Sequence, residues 1–336
     1  MNFDPNIPNL IAISMGLLAA AMWGSWFIVL KHLDDYPLEA FYLTLFVVSM
    51  VIVWGVGLLL DGKSLWGNIQ SVWRADPSRI TITFICGVFY VIGILLSLYV
   101  MQVLGLAVTQ PVQASINVVG GTALSAVIGG IPTGLSVERI VASVSFLLVA
   151  VVLSMIAGRI RNQSQKAANI VTGLSNKSQE INKAILLLII SSLLIPAYTI
   201  GLSYGLKSTT QSEGLAPLPF MAVLCSGAFT SALIVSGTML TVRKQWSVFR
   251  MYGFRTHSLG MIAGLAHYGG NIIHTFATRN LSAVVSWPLG FTAGLWTSMW
   301  GLVYGEFRGS PLRAYLFLVG GMVCYLVGAL LIAMLV

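Results

Sequence analysis

The sequence predicts an all-α integral membrane protein of ten transmembrane helices, built as two inverted five-helix repeats. Composition is the first reason: of 336 residues, 57% are hydrophobic and only 8% charged, with a mean hydropathy of +0.88. That balance excludes an ordinary soluble protein. The second is a series of ten apolar stretches, near 11–30, 41–60, 80–100, 107–128, 140–157, 184–206, 218–240, 258–277, 283–304 and 314–336. Most match the roughly 20 residues that cross a bilayer core. The third is self-similarity. A shift of 177 positions lays Gly24 on Gly201, Gly87 on Gly264, Gly93 on Gly270 and Pro111 on Pro288. With five crossings per half, the second copy enters the membrane upside down, the usual basis of alternating access.

The first stretch has no Lys or Arg before Lys31 and reads as a retained helix rather than a signal peptide. Trp23 and Trp26 fall in its middle, away from the interfacial aromatic belts, where they either line a path or pack against small neighbours. In the third stretch the 177-residue offset sets Tyr90 and Ser97 opposite His267 and His274. The fourth carries Gln110, Gln113 and Asn117 on one helical face beside Pro111, which lacks a backbone donor and frees a carbonyl or simply kinks the helix. Residues 159–183 are polar and read as a cytoplasmic linker between a first repeat, 1–158, and a second, 184–336. So short a segment has no room for a nucleotide-hydrolysing module, so any driving energy is expected from gradients or another chain.

Gly201-Leu202-Ser203-Tyr204-Gly205 matches the hydrolase G-x-S-x-G pattern, but inside an apolar helix and without the strand-turn-helix context that exposes a nucleophile. No enzyme activity is expected. In the eighth stretch His267, Asn271 and His274 stand at i, i+4 and i+7 on one narrow face, which must meet other helices or a water-filled cavity. Trp287 precedes Pro288 in the ninth, while Trp296 and Trp300 near its far end fit packing or a belt. No Asp or Glu is central in any stretch, so the candidate proton-coupling groups are His267 and His274. The alternative is uniport. Small-xxx-small pairs such as Gly260 and Gly264 indicate close helix packing.

Twelve of the 18 Lys and Arg fall in odd-numbered loops: Lys31, five from Arg159 to Lys183, four from Arg243 to Arg255, Arg308 and Arg313. The positive-inside rule makes those loops cytoplasmic and puts both termini outside, in a plasma or inner membrane. The net charge of +8 is spread over loops without stacking aromatics, which argues against nucleic acid. Cys86, Cys225 and Cys324 lie within spans, as packing residues.

Trp23-Gly24-Ser25-Trp26 followed by Lys31, and then Gly264-Leu265-Ala266-His267-Tyr268-Gly269-Gly270-Asn271, Asn280-Leu281-Ser282-Ala283-Val284 and Trp300 to Gly309 with Glu306 and Arg308, form a recognisable set. Gly105 to Thr109 and Ser115 to Thr122 extend it. Over nearly the whole chain the pattern resembles the drug/metabolite transporter superfamily, in the branch of rhamnose-proton symporters, glucose/ribose uptake proteins and plant ureide permeases. The short linker, without a glycine-rich run, departs from the ureide permeases. The resemblance implies uptake of a small neutral polar metabolite, sugar ahead of ureide or nucleobase.

The expected function is therefore a secondary transporter whose partners are a small-molecule substrate, the lipid bilayer and a candidate coupling proton, with no cofactor and no metal. Trp23, Trp26, Tyr90, Gln110, Gln113, Asn117, His267, Asn271, His274 and Trp287 are the candidate binding residues. Indoles stack on rings and amides recognise hydroxyl or amide groups. A drug or metabolite exporter and a non-transporting receptor or structural protein remain the other readings.

Overall fold

A computed structural model describes residues 7–104, 106–168 and 178–335. Its helices are, in order, α1 (Asn9–Ser25) continued by a 3₁₀ helix (Trp26–His32), α2 (Leu38–Leu60), α3 (Lys63–Ala75), α4 (Pro77–Leu104), α5 (Leu106–Gly129), α6 (Val137–Ala168), α7 (Ser178–Leu194), α8 (Ala197–Tyr204), α9 (Pro217–Val242), α10 (Val248–Met251), α11 (Phe254–Leu281), α12 (Ala283–Gly290), α13 (Ala293–Val303) and α14 (Leu312–Ala333). The described residues contain no strand, only an isolated bridge between Leu206 and Leu215. Proline stands at or just before the start of α1, α2, α4, α9 and α14. Its missing N–H and fixed φ suit the first turn of a helix.

Eight segments are long and apolar enough to cross a bilayer, which makes the chain compatible with a membrane protein. Large apolar side chains point outward from them, among them Val51, Val127, Leu193, Ile234 and Leu326. An exposed apolar band of this extent suits hydrocarbon surroundings. Two of the ten expected stretches are not among the eight. The one at 258–277 is inside α11, whose histidines, asparagines and arginines lower its apolar character; the one at 283–304 is split into α12 and α13, with Pro288 inside α12. A similar break at Ile195 and Pro196 separates α7 from α8.

Two further differences concern the connections. The expected linker at 159–183 begins as helix, because α6 continues through Arg159 to Ala168, and α7 starts at Ser178. Residues 169–177 lie outside the described residues. Helix α3 occupies what the sequence read as a loop. Its buried Leu65 and Val72, seven positions apart, form a narrow stripe that the hydropathy of a full span does not reveal.

Packing follows a closed circuit: α2 on α9, α9 on α4, α4 on α7 and α8, α8 on α5, α5 on α6, α6 on α14, α14 on α13, α13 on α1, α1 on α11, and α11 back on α2. Glycine allows the tightest crossings. A Cβ on Gly87 would stand 2.1 Å from the Leu224 carbonyl oxygen, and one on Gly264 2.6 Å from that of Leu45. Both crossings bring backbone against backbone.

Gly87→Ala should therefore force α4 away from α9 and destabilise the fold by about 1–3 kcal/mol. Gly120→Ala meets nothing within 4 Å and should be neutral or stabilising, since alanine is the better helix former by up to about 1 kcal/mol. Thermal melting of the two detergent-solubilised variants against the parent checks this, and equal midpoints would contradict the crossing.

Candidate functional site

Inside the circuit lies a cavity of about 270 Å³. Its wall comes from the α1 and 3₁₀ junction (Trp23, Trp26, Phe27), α4 (Tyr90, Ile94, Ser97, Leu98), α5 (Gln113, Ala114, Asn117), α6 (Val151, Ser154), Ile195, α11 (His267), the α12 and α13 region (Trp287 to Ser298) and α14 (Tyr325). No lining residue carries a formal charge. The volume lies just below the roughly 300–1,000 Å³ of drug-sized sites, so the space suits a ligand of about one ring.

Seven of the ten sequence-predicted residues meet at this wall: Trp23, Trp26, Tyr90, Gln113, Asn117, His267 and Trp287. Asn271 and His274 lie behind it. The side chain of Gln110 lies outside the described residues. Tyr90 Oη and His267 Nε2 are 3.2 Å apart, their rings stacked 6.1 Å centre to centre. Trp23 Nε1 donates to Asn271 Oδ1 at 2.8 Å, with the His267 carbonyl at 3.3 Å. Gly270 and Gly290 make room for that indole, as a Cβ on either would approach it within 2.8 Å. Trp287 Nε1 donates to the Asn117 carbonyl at 3.0 Å, reaching α5 over Gly121. Two indoles thus spend their N–H groups on protein and leave ring faces for a ligand.

The other polar groups divide into occupied and open. Gln113 is held at both ends, accepting from Ser97 Oγ at 2.5 Å and donating to Ser191 Oγ at 2.6 Å. His274 is occupied as well. Its Nε2 donates to the Ser286 carbonyl at 3.0 Å, which leaves Nδ1 to accept from the Tyr198 hydroxyl at 3.4 Å. By contrast, Asn117 Oδ1, Ser154 Oγ and His267 Nδ1 on the wall, and Asn271 Nδ2 behind it, are buried without a hydrogen-bond partner. Buried polar atoms are rarely left so, and on the residues of a cavity wall they mark candidate groups for water or ligand.

Sequence reasoning missed several wall residues. Ser154 of α6 and Tyr325 of α14 are polar groups in the middle of apolar spans, the same signal that singled out Asn117, and Tyr325 reaches the wall past Gly294, where a Cβ would stand 2.1 Å from its hydroxyl. Tyr198 is a hub beneath the wall, within 6.2 Å ring to ring of Trp23, Tyr90, His274 and Trp287. Its place after Pro196 gave no pattern to read.

Ion pairs gather the helix ends. Glu306, after α13, pairs with Lys31 of the 3₁₀ helix and, at 2.6 Å, with Arg161 of α6. Glu39 accepts from Arg243 at 2.6 Å and from Tyr99. At the opposite end of α4, Arg79 donates to the carbonyls of Tyr204 and Glu213 at 2.8 and 3.0 Å. One carboxylate thereby joins three wall-forming segments at a single end of the bundle.

No protein-family model and no curated protein matches the chain. Solved structures do match. One, described as "Crystal structure of protein", superposes on 93% of this chain and 95% of its own with a TM-score of 0.58 at 14% identity. The class that fold and site define is a helical bundle compatible with a membrane, enclosing an uncharged, aromatic-walled cavity. At that identity the likeness concerns the fold alone.

Trp23→Phe keeps the ring but strips Asn271 Oδ1 of its donor. The expected cost is about 1–3 kcal/mol, read as a lower melting midpoint than that of Trp66→Phe, whose indole is half exposed. Equal midpoints for the two variants would contradict the role given to this bond.

Proposed function

We propose that the protein is a secondary transporter working by alternating access on a small, neutral, polar metabolite. The observation that carries this reading is the cavity wall: aromatic faces, amide and hydroxyl groups, three unpartnered polar atoms and no formal charge. A charged solute would have no counter-ion there and would bear an uncompensated desolvation cost. That argues against a cation exporter.

The inverted repeat of two five-helix halves belongs to the same proposal, and helix contacts support it. Gly87 of α4 packs on Leu224 and Ala228 of α9, while Gly264 of α11 packs on Leu45 and Ser49 of α2. The glycines are 177 positions apart and the residues they meet are 179 apart. Gly93 against Ile195 and Gly270 against Trp23 repeat the exchange between halves. Tyr90 and His267, themselves 177 apart, touch each other, as residues on a two-fold axis must. The repeat supplies two related arrangements of the same helices, with the cavity between them. Breaking the Glu306 clasp would open one end while the Arg79 end stays tied.

Ten crossings, with the clasp end in the cytoplasm and both termini outside, complete the reading. The similarity to the sugar-uptake branch of the drug/metabolite transporter superfamily favours a sugar. A second reading, a flat ureide or nucleobase, is favoured by a wall with Trp23, Trp26, Tyr90, Trp287 and Phe291 but few open hydrogen-bonding atoms, because stacking satisfies a planar ring better than a polyol. For the coupling proton, His267 with its open Nδ1 is a better candidate than the fully bonded His274.

Uptake of labelled sugars, ureides and nucleobases into proteoliposomes, with and without an imposed proton gradient, tests the proposal. One neutral class should enter, and Asn117→Leu should lower its uptake at least ten-fold without loss of folded protein. Gradient-driven accumulation would identify a symporter and equilibration a facilitator. No uptake of any neutral solute, or normal uptake by Asn117→Leu, would contradict the site.

A further inference from the structure

The segment joining α9 to α11 interleaves exposed cations with large exposed apolar side chains. Over residues 242–255 it exposes Lys244, Arg250 and Arg255, none of them in an ion pair with any described residue. Between the cations stand large exposed apolar side chains: Val242 (75%), Trp246 (46%), Met251 (74%) and Phe254 (78%). The nearby Arg243 is engaged with Glu39. No acidic residue falls between Glu213 and Glu306; Asp34 and Asp35, on the packed connection into α2 where Tyr252 Oη donates to the Asp35 carbonyl at 3.3 Å, form no ion pair with Lys244, Arg250 or Arg255. The short helix α10 is held against the bundle by Val248, and Phe249 stacks on His257, which contacts Tyr36 at 3.1 Å. The exposed side chains are therefore presented by an anchored segment.

Its location supplies the chemistry. Helix α9 ends at Val242 and α11 begins at Phe254, so the segment lies where apolar spans give way to polar chain. In water alone Trp246, Met251 and Phe254 would form an unfavourable apolar patch. Beside a bilayer they can enter the acyl boundary while the flanking cations meet headgroups. The connection between α2 and α4 provides the contrast. It also exposes tryptophans, Trp66 and Trp73, but its Lys63 and Arg74 are matched by Asp61 and Asp76. The α9 to α11 segment thus combines exposed aromatics with cations that no acidic residue of its own balances.

We infer that residues 242–255 form a binding surface for an anionic phospholipid, with Lys244, Arg250 and Arg255 on the headgroup and Trp246, Met251 and Phe254 against the acyl chains. A free phosphate would satisfy the cations but leave those apolar side chains uncovered, so the lipid is the occupant assigned. This rests on the reading of the chain as a membrane protein. Each cation near an anionic surface contributes about a five-fold preference; a neutral phosphocholine lipid gains none of it.

The test uses Trp246 as reporter, its emission taken as the difference between the parent and Trp246→Phe in reconstituted vesicles. Half-maximal quenching should need at least about five-fold less brominated phosphatidylglycerol than brominated phosphatidylcholine. The triple variant Lys244→Gln, Arg250→Gln, Arg255→Gln should lose that preference. Arg250→Gln alone should lose part of it, and Lys63→Gln with Arg74→Gln should keep it whole. Equal quenching of Trp246 by the two lipids in the parent, or an undiminished preference in the triple variant, would overturn the assignment and leave the membrane reading standing. If neither lipid quenched any tryptophan, the membrane reading would fall and this inference with it.

Discussion

Polar side chains inside apolar spans must find their partners within the protein, and the architecture depends on that constraint. The partners sit on other helices. Trp23 reaches Asn271, Tyr90 reaches His267, Gln113 joins Ser97 to Ser191, and Trp287 bonds to the backbone of Asn117. Each bond ties two different helices, most of them distant in sequence, and fixes their rotation about their own axes. Buried and well aligned, such bonds are worth about 0.6–2 kcal/mol apiece in a membrane. Their main effect is to specify one arrangement among many that would bury apolar surface equally well.

On the cavity wall the constraint is in part left unmet. Asn117 Oδ1 and His267 Nδ1 lack partners, and both residues line the space at the middle of the bundle. The same residues therefore serve two ends, since Asn117 gives its carbonyl to Trp287 and His267 gives Nε2 to Tyr90. Holding these side chains by one group positions the other. Glycines at the crossings, rather than large interlocking side chains, bring the surrounding helices close. Smooth backbone contacts such as Gly87 on α9 and Gly264 on α2 suit the relative shift of helices that the proposed alternating access requires.

Much of this was legible in the chain because polarity in an apolar context is conspicuous. His267, Asn271 and His274 are polar residues at helical spacing in an apolar stretch, and Trp23 and Trp26 are aromatics far from a span's ends. That reasoning finds residues facing the interior. It does not distinguish a cavity wall from a hydrogen bond behind it, which is why Asn271 and His274 stand with Trp23 and Ser286 instead of at the open space. Ser154 and Tyr325 carry the same signal more weakly, as single polar groups in α6 and α14. The amphipathic α3 has no long apolar run, and the break between α12 and α13 follows from Pro288 and local geometry that hydropathy averages away. The 177-residue offset was readable from glycines and one proline pair, and two of those glycines, Gly87 and Gly264, each sit at a close helix crossing.

The central claim is that the cavity is a wet binding site reached in turn from either side of the membrane. Thr297, on its wall, offers the most direct measurement. In sealed vesicles of known orientation, Thr297→Cys should react with a membrane-impermeant thiosulfonate applied from either face, and the transported solute should slow both reactions. Labelling from neither face, while the same protein unfolded in detergent reacts fully, would mean that the centre of the bundle is packed and dry, and the account would be wrong.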